Sequence, residues 1–411
     1  MGKTKKSPLF VIFTTVLVDL IGFGMVIPLV GLYGRHYGAT GYQLPILGGI
    51  YSLMQFFFSP FWGALSDRVG RRPIILLSLA GSTASYVLFA LAPSFEWLLL
   101  ARAFGGVFAA NISAAQAYIA DVTSLEDRAK GMGLLGAAFG IGFTLGPPLG
   151  GIASAQLGLA APGFIAAAIC GANLFLAVFR LPESLPAEVR KQNLAGLRRS
   201  LSPLSFTQLS QALKHPELGY LFFTFFFVTF AFSTMEQTFS LLFQTKFNLD
   251  TGDAGLKTGL VLMVSGIFGA FIQGGMTRKL VARFGERNLL MTGLAFNFFT
   301  MGVFPYCPTY ALYFGLAIPV ALGSSLINPS LSSLISKCVG PKEQGATLGL
   351  SQGLGSLARA TGPFMGLLTF AIRPEIPFAI ASCISVLLLS LCVKIFNLHR
   401  RLPHPYGHDL G

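Results

Sequence analysis

Long apolar runs dominate the chain, and the stretches between them are short and hold most of its charges. Each run is about as long as the helix of roughly 20 residues that crosses a lipid bilayer. A helix satisfies its own backbone hydrogen bonds, as a membrane interior requires. The pattern therefore predicts an all-α membrane protein with twelve transmembrane helices, near residues 8–33, 44–62, 73–92, 97–119, 131–156, 161–179, 217–245, 258–277, 288–305, 309–336, 345–371 and 376–393.

Composition supports this class and argues against a nucleic-acid partner. The chain is 53% hydrophobic and 11% charged, far from the usual range of soluble proteins. Its net charge of +13 comes from residues in the short loops, without the basic patch and interleaved aromatics that read nucleic acid. The lipid bilayer is therefore the expected partner of this surface.

The sequence contains none of the motifs that indicate a membrane enzyme or receptor. The five cysteines are scattered, without the spacing of metal ligands or of a disulfide framework. No nucleotide-binding loop and no nucleophile constellation can be recognised. We therefore expect no metal, no cofactor and no enzymatic activity.

The positions of lysine and arginine predict the topology. Of the 29 basic residues, 23 lie at the N-terminus, in alternate loops and in the tail. The opposite loops hold only Arg35, Lys246, Lys257 and Arg373. Because cytoplasmic loops carry the excess of positive charge, both termini are predicted to be cytoplasmic in a multi-pass protein of the inner (plasma) membrane.

A polar, basic stretch divides the chain into similar halves. We predict an N-terminal six-helix bundle over residues 1–180, a cytoplasmic linker over 181–216, and a C-terminal six-helix bundle with a short cytoplasmic tail over 217–411. The sequence RVGRR at 68–72 is echoed 215 residues later by RFGER, and Gly146-Pro147 is echoed 216 residues later by Gly362-Pro363. Such a repeat predicts two parallel bundles with a site between them near the membrane midplane.

Four charged residues lie deep inside predicted spans, and we predict that they couple transport to protons. Asp19 is central in the first span, where a carboxylate is costly and is by default a functional candidate; a structural hydrogen bond is the alternative. Arg102, in the fourth span, needs a counter-charge from another helix, and Asp19 is the deep acid of its half. Glu236 and Arg359 would offset each other's burial in the second half, although the sequence does not establish that they pair.

Polar side chains follow several helical faces, and a polar face inside a membrane must meet water, substrate or another polar helix. For serines the commoner use is a bond between helices. We predict substrate contacts from these faces at Asn111, Gln116, Gln237, Ser240, Asn328 and Gln352.

The stretch GALSDRVGRR, residues 63–72, lies between the second and third runs, and we predict a short hairpin loop there. Its glycines permit a tight turn, and its charged residues can bond helix ends or neighbouring loops. We expect Asp67 to cap the eleventh helix and Arg71 or Arg72 to pair with Asp121, holding the cytoplasmic side closed. A topology anchor is the alternative reading. The predicted gating residues of this region are Gly63, Asp67, Arg68, Gly70, Arg71, Arg72 and Asp121.

The fifth run contains small residues at four-residue spacing around a proline pair. Small faces allow close helix packing, and proline allows bending. We predict that Gly146, Pro147 and Gly150 form a sliding or bending interface and belong to the gating residues. An ordinary packed helix is the alternative.

Three of these features resemble motifs of the twelve-span drug:proton antiporters of the major facilitator superfamily. They are GALSDRVGRR, the in-span Arg102, and GPPLGG at 146–151. The resemblance covers nearly the whole chain and is closest to tetracycline-efflux and tetracycline-transporter-like proteins. It implies the major facilitator fold, with two pseudo-symmetric six-helix bundles, and Asp19 matches the first-helix acid of these antiporters. Two residues depart from the pattern, because Gly105 replaces a glutamine and Ser85 stands where tetracycline pumps carry an aspartate.

The predicted function is a proton-coupled antiporter that exports small amphipathic, drug-like molecules by alternating access, as a monomer. The alternative is a carrier of organic anions or lipid-like substrates with the same fold, which the second half resembles at residues 236–240 and 357–363. In that case Arg102 and Arg359 would be the partners of the anion.

Overall fold

The computed structural model describes residues 8–109, 111–123, 128–186, 188, 216–339 and 344–399. Within these ranges the regular elements are helices. The first half contains α1 (Pro8–Val26), a 3₁₀ turn (Ile27–Leu29), α2 (Val30–His36), α3 (Gln43–Val69), α4 (Arg71–Ala90), α5 (Phe95–Phe108), α6 (Asn111–Val122), α7 (Arg128–Leu157) and α8 (Ala161–Arg180). The second half contains α9 (Pro216–Phe247), α10 (Thr251–Phe271), a π-helical turn (Ile272–Met276), α11 (Thr277–Val303), a 3₁₀ turn (Phe304–Tyr306), α12 (Tyr310–Lys337), α13 (Gln344–Ile372) and α14 (Ile376–His399).

Every predicted apolar run falls on one of these helices or on a consecutive pair, so the all-α prediction is confirmed. Eight helical segments of the described chain are long and apolar enough to cross a membrane, or nine if the bent pair Gln43–Ser59 and Phe61–Val69 forms one span. The other predicted spans correspond to the α5–α6 pair, which is interrupted at Ala109, and to the glycine-rich helices α7 and α13. Most of the predicted linker, residues 187 and 189–215, and residues 400–411 of the tail lie outside the described residues.

The prediction of a hairpin loop over residues 63–72 was wrong. Helix α3 continues to Val69 and α4 begins at Arg71, so only Gly70 lies outside a helix. Gly70 has φ +112° and ψ 159°, a backbone conformation that favours glycine. Helix α3 can extend beyond the apolar layer, so its charged residues do not end it. Gly70 alone makes the turn.

The chain divides into two compact units. The first is Met1–Pro203 with Phe239–Met263, and the second is Leu204–Thr238 with Val264–Gly411. The predicted division at residues 180 and 217 is a different partition and stays a prediction. In the first unit α1 packs against α7 and α8, and α4 packs against α5 and α8. In the second unit α11 packs against α12 and α14.

Glycines let helices approach closely at corresponding places in the two halves. A Cβ at Gly146 of α7 would lie 2.7 Å from the Cα of Gly24 on α1. A Cβ at Gly362 of α13 would lie 2.8 Å from the Cβ of Ser233 on α9. Four residues further along, Gly150 and Gly366 contact the same partner helices. The repeated glycines therefore make the same kind of contact in each half.

Candidate transport site

The two predicted charges of the first half, Asp19 and Arg102, are both buried, with 7% and 4% of their surface exposed. Asp19 lies on α1 and Arg102 on α5. The guanidinium carbon of Arg102 lies 4.6 Å from the centroid of the Tyr51 ring, a distance typical of a cation–π contact. The ring of Tyr51 therefore partly stabilises a charge that would otherwise be costly to bury.

A cavity of about 10 Å³, close to the smallest space that holds one water molecule, lies beside Arg102. The residues around it come from the four helices α1, α3, α4 and α5. They are Val26, Tyr51, Ser82, Ser85, Tyr86, Phe89, Arg102 and Gly105. Polar atoms and a cation thus surround a space in the interior of the first unit.

Tyr86 lies within electrostatic range of both buried charges, Asp19 and Arg102. A Cβ on Gly22, one helical turn beyond Asp19, would lie 3.4 Å from the Tyr86 ring and 3.4 Å from the sulfur of Cys170. The structure therefore brings Asp19 and Arg102 into the surroundings of one tyrosine that the sequence did not single out.

The two residues that depart from the antiporter pattern, Ser85 and Gly105, contact each other. The Ser85 hydroxyl donates a hydrogen bond of 2.9 Å to the carbonyl of Ala101. A Cβ at Gly105 would collide with Ser85 Oγ and would lie 3.3 Å from the Tyr51 ring. A glutamine at position 105 would therefore not fit beside Ser85 and Tyr51 as they stand. The small residues at both positions therefore fit together in the wall of this site.

In the second half, Glu236 and Gln237 of α9 are buried, and Arg359 of α13 is half-buried. Arg359 Nη2 donates a hydrogen bond of 3.3 Å to Ser356 Oγ. A second cavity, of about 30 Å³, lies in the same unit. Its polar lining comes from Asn297, Ser324 and Ser385, none of which the sequence analysis selected. The pairing of Glu236 with Arg359 stays a prediction.

The predicted substrate contacts have different environments. Ser240 is fully buried and donates a hydrogen bond of 2.6 Å to the carbonyl of Pro28, so it joins two helical segments. Gln116 is half-buried, and Asn328 is exposed. The side chains of Asn111 and Gln352 lie outside the described residues. Contact with a substrate stays a prediction for all of these residues.

Arg71 is the centre of an ionic cluster at the α3–α4 turn. It makes ion pairs of 2.6 Å with Asp67 and 3.1 Å with Asp121, and it donates a hydrogen bond of 2.6 Å to Ser66 Oγ. The expected contact with Asp121 is thus present and is made by Arg71. Gly63 accepts a bond of 2.8 Å from Ser66, while Arg68 is half-buried. The cluster fastens the end of α3 to the end of α6.

Glu183 caps the start of α4, a role that the sequence analysis missed. Its carboxylate accepts hydrogen bonds of 2.9 Å from the backbone N–H of Arg71 and 3.2 Å from that of Arg72. Carboxylates are favoured at such helix starts because the first N–H groups lack partners within the helix. The side chain of Arg72 reaches the same region, donating a bond of 2.6 Å to the carbonyl of Val178 on α8. An acid four residues after the end of the sixth predicted run was the available signal.

The second half contains a similar cluster at the repeat of Gly70. Gly285 has φ 73° and ψ 154° and interrupts α11 as Gly70 separates α3 from α4. Glu286 accepts contacts from Lys337 at 2.7 Å and from Ser333 at 3.0 Å. Arg287 pairs with Glu217 at 3.1 Å. Here, too, the residues after the glycine attach to other helices.

A different set of contacts lies at the far end of α1 and α2. Arg35 donates hydrogen bonds of 3.3 Å to Gln244 and 3.1 Å to Thr245 of α9. A Cβ at Gly259 of α10 would lie 2.6 Å from the carbonyl of Pro147. The proline pair of α7 thus faces α10, while Gly146 and Gly150 face α1. The predicted gating role of these residues stays a prediction.

The sequence repeats in two halves, and charged residues are buried within its apolar helices. These features are typical of membrane solute carriers. The sequence model of the Major Facilitator Superfamily matches residues 12–363 and 279–406. The class C tetracycline resistance protein of Escherichia coli is 32% identical over 391 residues, which cover 94% of this chain and 96% of that protein. Multidrug resistance protein 2 of Bacillus subtilis (strain 168) is 29% identical over 388 residues and covers 94% of each.

The crystal structure of the human organic anion transporter MFSD10 has the same fold. It matches with a TM-score of 0.71 and 26% identity, over 95% of this chain and 100% of that chain. The chain therefore belongs to the Major Facilitator Superfamily, and the predicted fold of two pseudo-symmetric six-helix bundles is confirmed. It is a multi-pass membrane transporter and not an enzyme.

Proposed function

We propose that this transporter is a proton-coupled antiporter that exports small amphipathic molecules by alternating access. The observation that carries the proposal is the buried constellation of Asp19, Arg102 and Tyr86 in the first unit. A carboxyl group in an apolar interior is stable when protonated or when a cation and polar groups balance its charge. These are the two states between which a proton carrier must alternate, and the proposal assigns them to Asp19.

The relatives support the export of drug-like compounds. Proteins named for tetracycline resistance and multidrug resistance align with nearly the whole of this chain. A transporter protects a cell from a toxic compound when it carries that compound outward against its gradient. Coupling to proton entry would supply the free energy, since each transport cycle would protonate and deprotonate a group such as Asp19.

The ionic cluster of Arg71 and the contacts of Arg35 support alternating access. Arg71 and its partners join helix ends at one end of the first unit, and the contacts of Arg35 join the ends of α2 and α9. We propose that these two sets break and re-form in turn, so that the site is open to one side at a time. The loop lysines and arginines favour an orientation in the inner membrane with both termini in the cytoplasm. We propose that the monomer is the working unit.

The test is uphill transport by the purified chain in proteoliposomes with an imposed pH gradient. Tetracycline, ethidium and fluorescein serve as zwitterionic, cationic and anionic probes. We expect Asp19→Asn to abolish accumulation of the transported probe while leaving its exchange at equal pH measurable. Asp253→Asn, which makes the same change at an exposed acid, is the matched control and should keep accumulation. Full accumulation by Asp19→Asn would contradict the proposal.

Transport of organic anions is the second candidate. The solved structure of an organic anion transporter aligns with this chain at 26% identity, and the half-buried Arg359 offers a cation in the second unit. This candidate predicts that fluorescein, but not ethidium, is transported and that Arg359→Gln removes this transport. Transport of ethidium with no uptake of fluorescein would favour the first candidate.

A further inference from the structure

Tyr86 differs from the other buried tyrosines in what surrounds it. It is 7% exposed, and it lines the small cavity together with Arg102 and Ser85. The groups that interact with it electrostatically come from four other helices: Asp19 on α1, Tyr51 on α3, Arg102 on α5 and Cys170 on α8. A tyrosine hydroxyl can serve a carboxyl group or a guanidinium group, because it both donates and accepts hydrogen bonds.

The geometry fixes Tyr86 firmly in this position. Ser82, Ser85, Tyr86 and Phe89 follow one another at helical spacing, and all of them line the cavity. The ring of Tyr86 lies 3.4 Å from the place that a Cβ on Gly22 would occupy, which is ordinary van der Waals contact. Because Gly22 follows Asp19 by one helical turn, the edge of the Tyr86 ring lies beside α1 next to the turn that carries the acid.

We propose that Tyr86 is a positioning residue of the Asp19–Arg102 site, whose hydroxyl stabilises the ionised form of Asp19 directly or through a water molecule in the cavity. This assignment rests on the proposed proton coupling and adds the residue that adjusts it. The Tyr86 hydroxyl is neutral, so it adds no second negative charge beside Asp19.

The test is the pH dependence of uphill transport by Tyr86→Phe in proteoliposomes, with the probe that the wild type accumulates best. This variant keeps the ring and its packing and removes only the hydroxyl. Without that donor the carboxylate of Asp19 is less stable, so its proton is released at higher pH. We expect the midpoint of the pH profile to rise by about one unit, which is a tenfold change in proton affinity, with an unchanged KM for the probe.

Tyr37→Phe is the matched control, since the Tyr37 hydroxyl donates a bond of 2.7 Å to the carbonyl of Ala92, which is not part of the cavity lining. It should leave the midpoint unchanged. An unchanged midpoint in Tyr86→Phe, or a changed KM with no shift of the midpoint, would overturn the assignment. Tyr86→Leu, which also removes the ring, should shift the midpoint in the same direction as Tyr86→Phe.

The outcome for Asp19→Asn separates the two proposals. If that variant still accumulates the probe, proton coupling through Asp19 fails, whatever Tyr86→Phe does. If Asp19→Asn is inactive in accumulation and Tyr86→Phe has the pH profile of the wild type, only the role of Tyr86 fails.

Discussion

The turns at Gly70 and Gly285 occupy corresponding places in the repeat, yet the residue after the glycine is basic in one and acidic in the other. Each of these residues makes an ion pair with the end of a later helix: Arg71 with Asp121 on α6, and Glu286 with Lys337 on α12. The two positions of the first pair recur 215 and 216 residues later as the second pair, with the signs exchanged. The duplicated fold therefore preserves the contact and does not preserve which partner is the acid.

Burial also differs between the two pairs. The side chain of Arg71 is 10% exposed, whereas that of Lys337 is 44% exposed. The side chain of Arg71 contacts two acids and a serine, and its backbone N–H donates a hydrogen bond to Glu183. An exposed ion pair contributes little to stability, whereas loss of one partner of a buried pair leaves a charge without compensation. We therefore expect the first turn to contribute more to stability than the second.

The largest expected effect is that of Arg71→Ala. It leaves Asp67 and Asp121 near each other without their shared cation, so we expect a loss of about 2 to 3 kcal/mol, slightly less than for a fully buried pair. The measurement is the free energy of unfolding in mixed micelles. Arg68→Ala, in the same stretch, is the control and should change it by less than about 0.5 kcal/mol. Equal losses in the two variants would remove the special role of Arg71.

The next test replaces each turn glycine by alanine. Both have positive φ with extended ψ, a region nearly restricted to glycine, so both variants carry backbone strain of about 1 to 3 kcal/mol. A Cβ at Gly70 would also collide with the Glu183 carboxylate, while a Cβ at Gly285 meets no described atom within 4 Å. We expect Gly70→Ala to be more destabilising by about 1 kcal/mol, the usual contribution of a helix cap. If Glu183→Ala abolishes that difference, the cap is its cause; an equal loss in the two glycine variants would contradict this account.

The smallest effect concerns the second pair. Glu286→Lys replaces the acid beside Lys337 by a second cation. We expect the free energy of unfolding to fall by up to about 1 kcal/mol, the range of exposed pairs. The double variant Glu286→Lys with Lys337→Glu restores opposite charges with the signs of the first half, and it should recover most of this loss. A double-mutant cycle in the same unfolding assay measures the coupling. Additive single effects would indicate that the two side chains act independently.

The sequence was sufficient to predict the helices, the repeat and the buried charges, because these depend on hydropathy and spacing along one chain. It could not predict that α3 continues to Val69, since the charged residues are compatible with a helix as well as with a loop, and only the backbone of Gly70 makes the turn. The contacts of Tyr86 with the Asp19 site and of Glu183 with α4 depend on how neighbouring helices are rotated. The environment of Ser240 depends on helix rotation in the same way, because its hydroxyl donates a hydrogen bond to the carbonyl of Pro28.

Substrate-driven proton movement tests the central claim most directly. A pH-sensitive dye inside proteoliposomes, prepared without a pH gradient, reports whether adding the transported probe outside moves protons in the opposite direction. The account predicts a probe-dependent pH change with the wild type and with Asp253→Asn, and none with Asp19→Asn although that variant still exchanges the probe. A pH change of wild-type size in Asp19→Asn, or its absence in the wild type during active probe transport, would contradict proton coupling through Asp19.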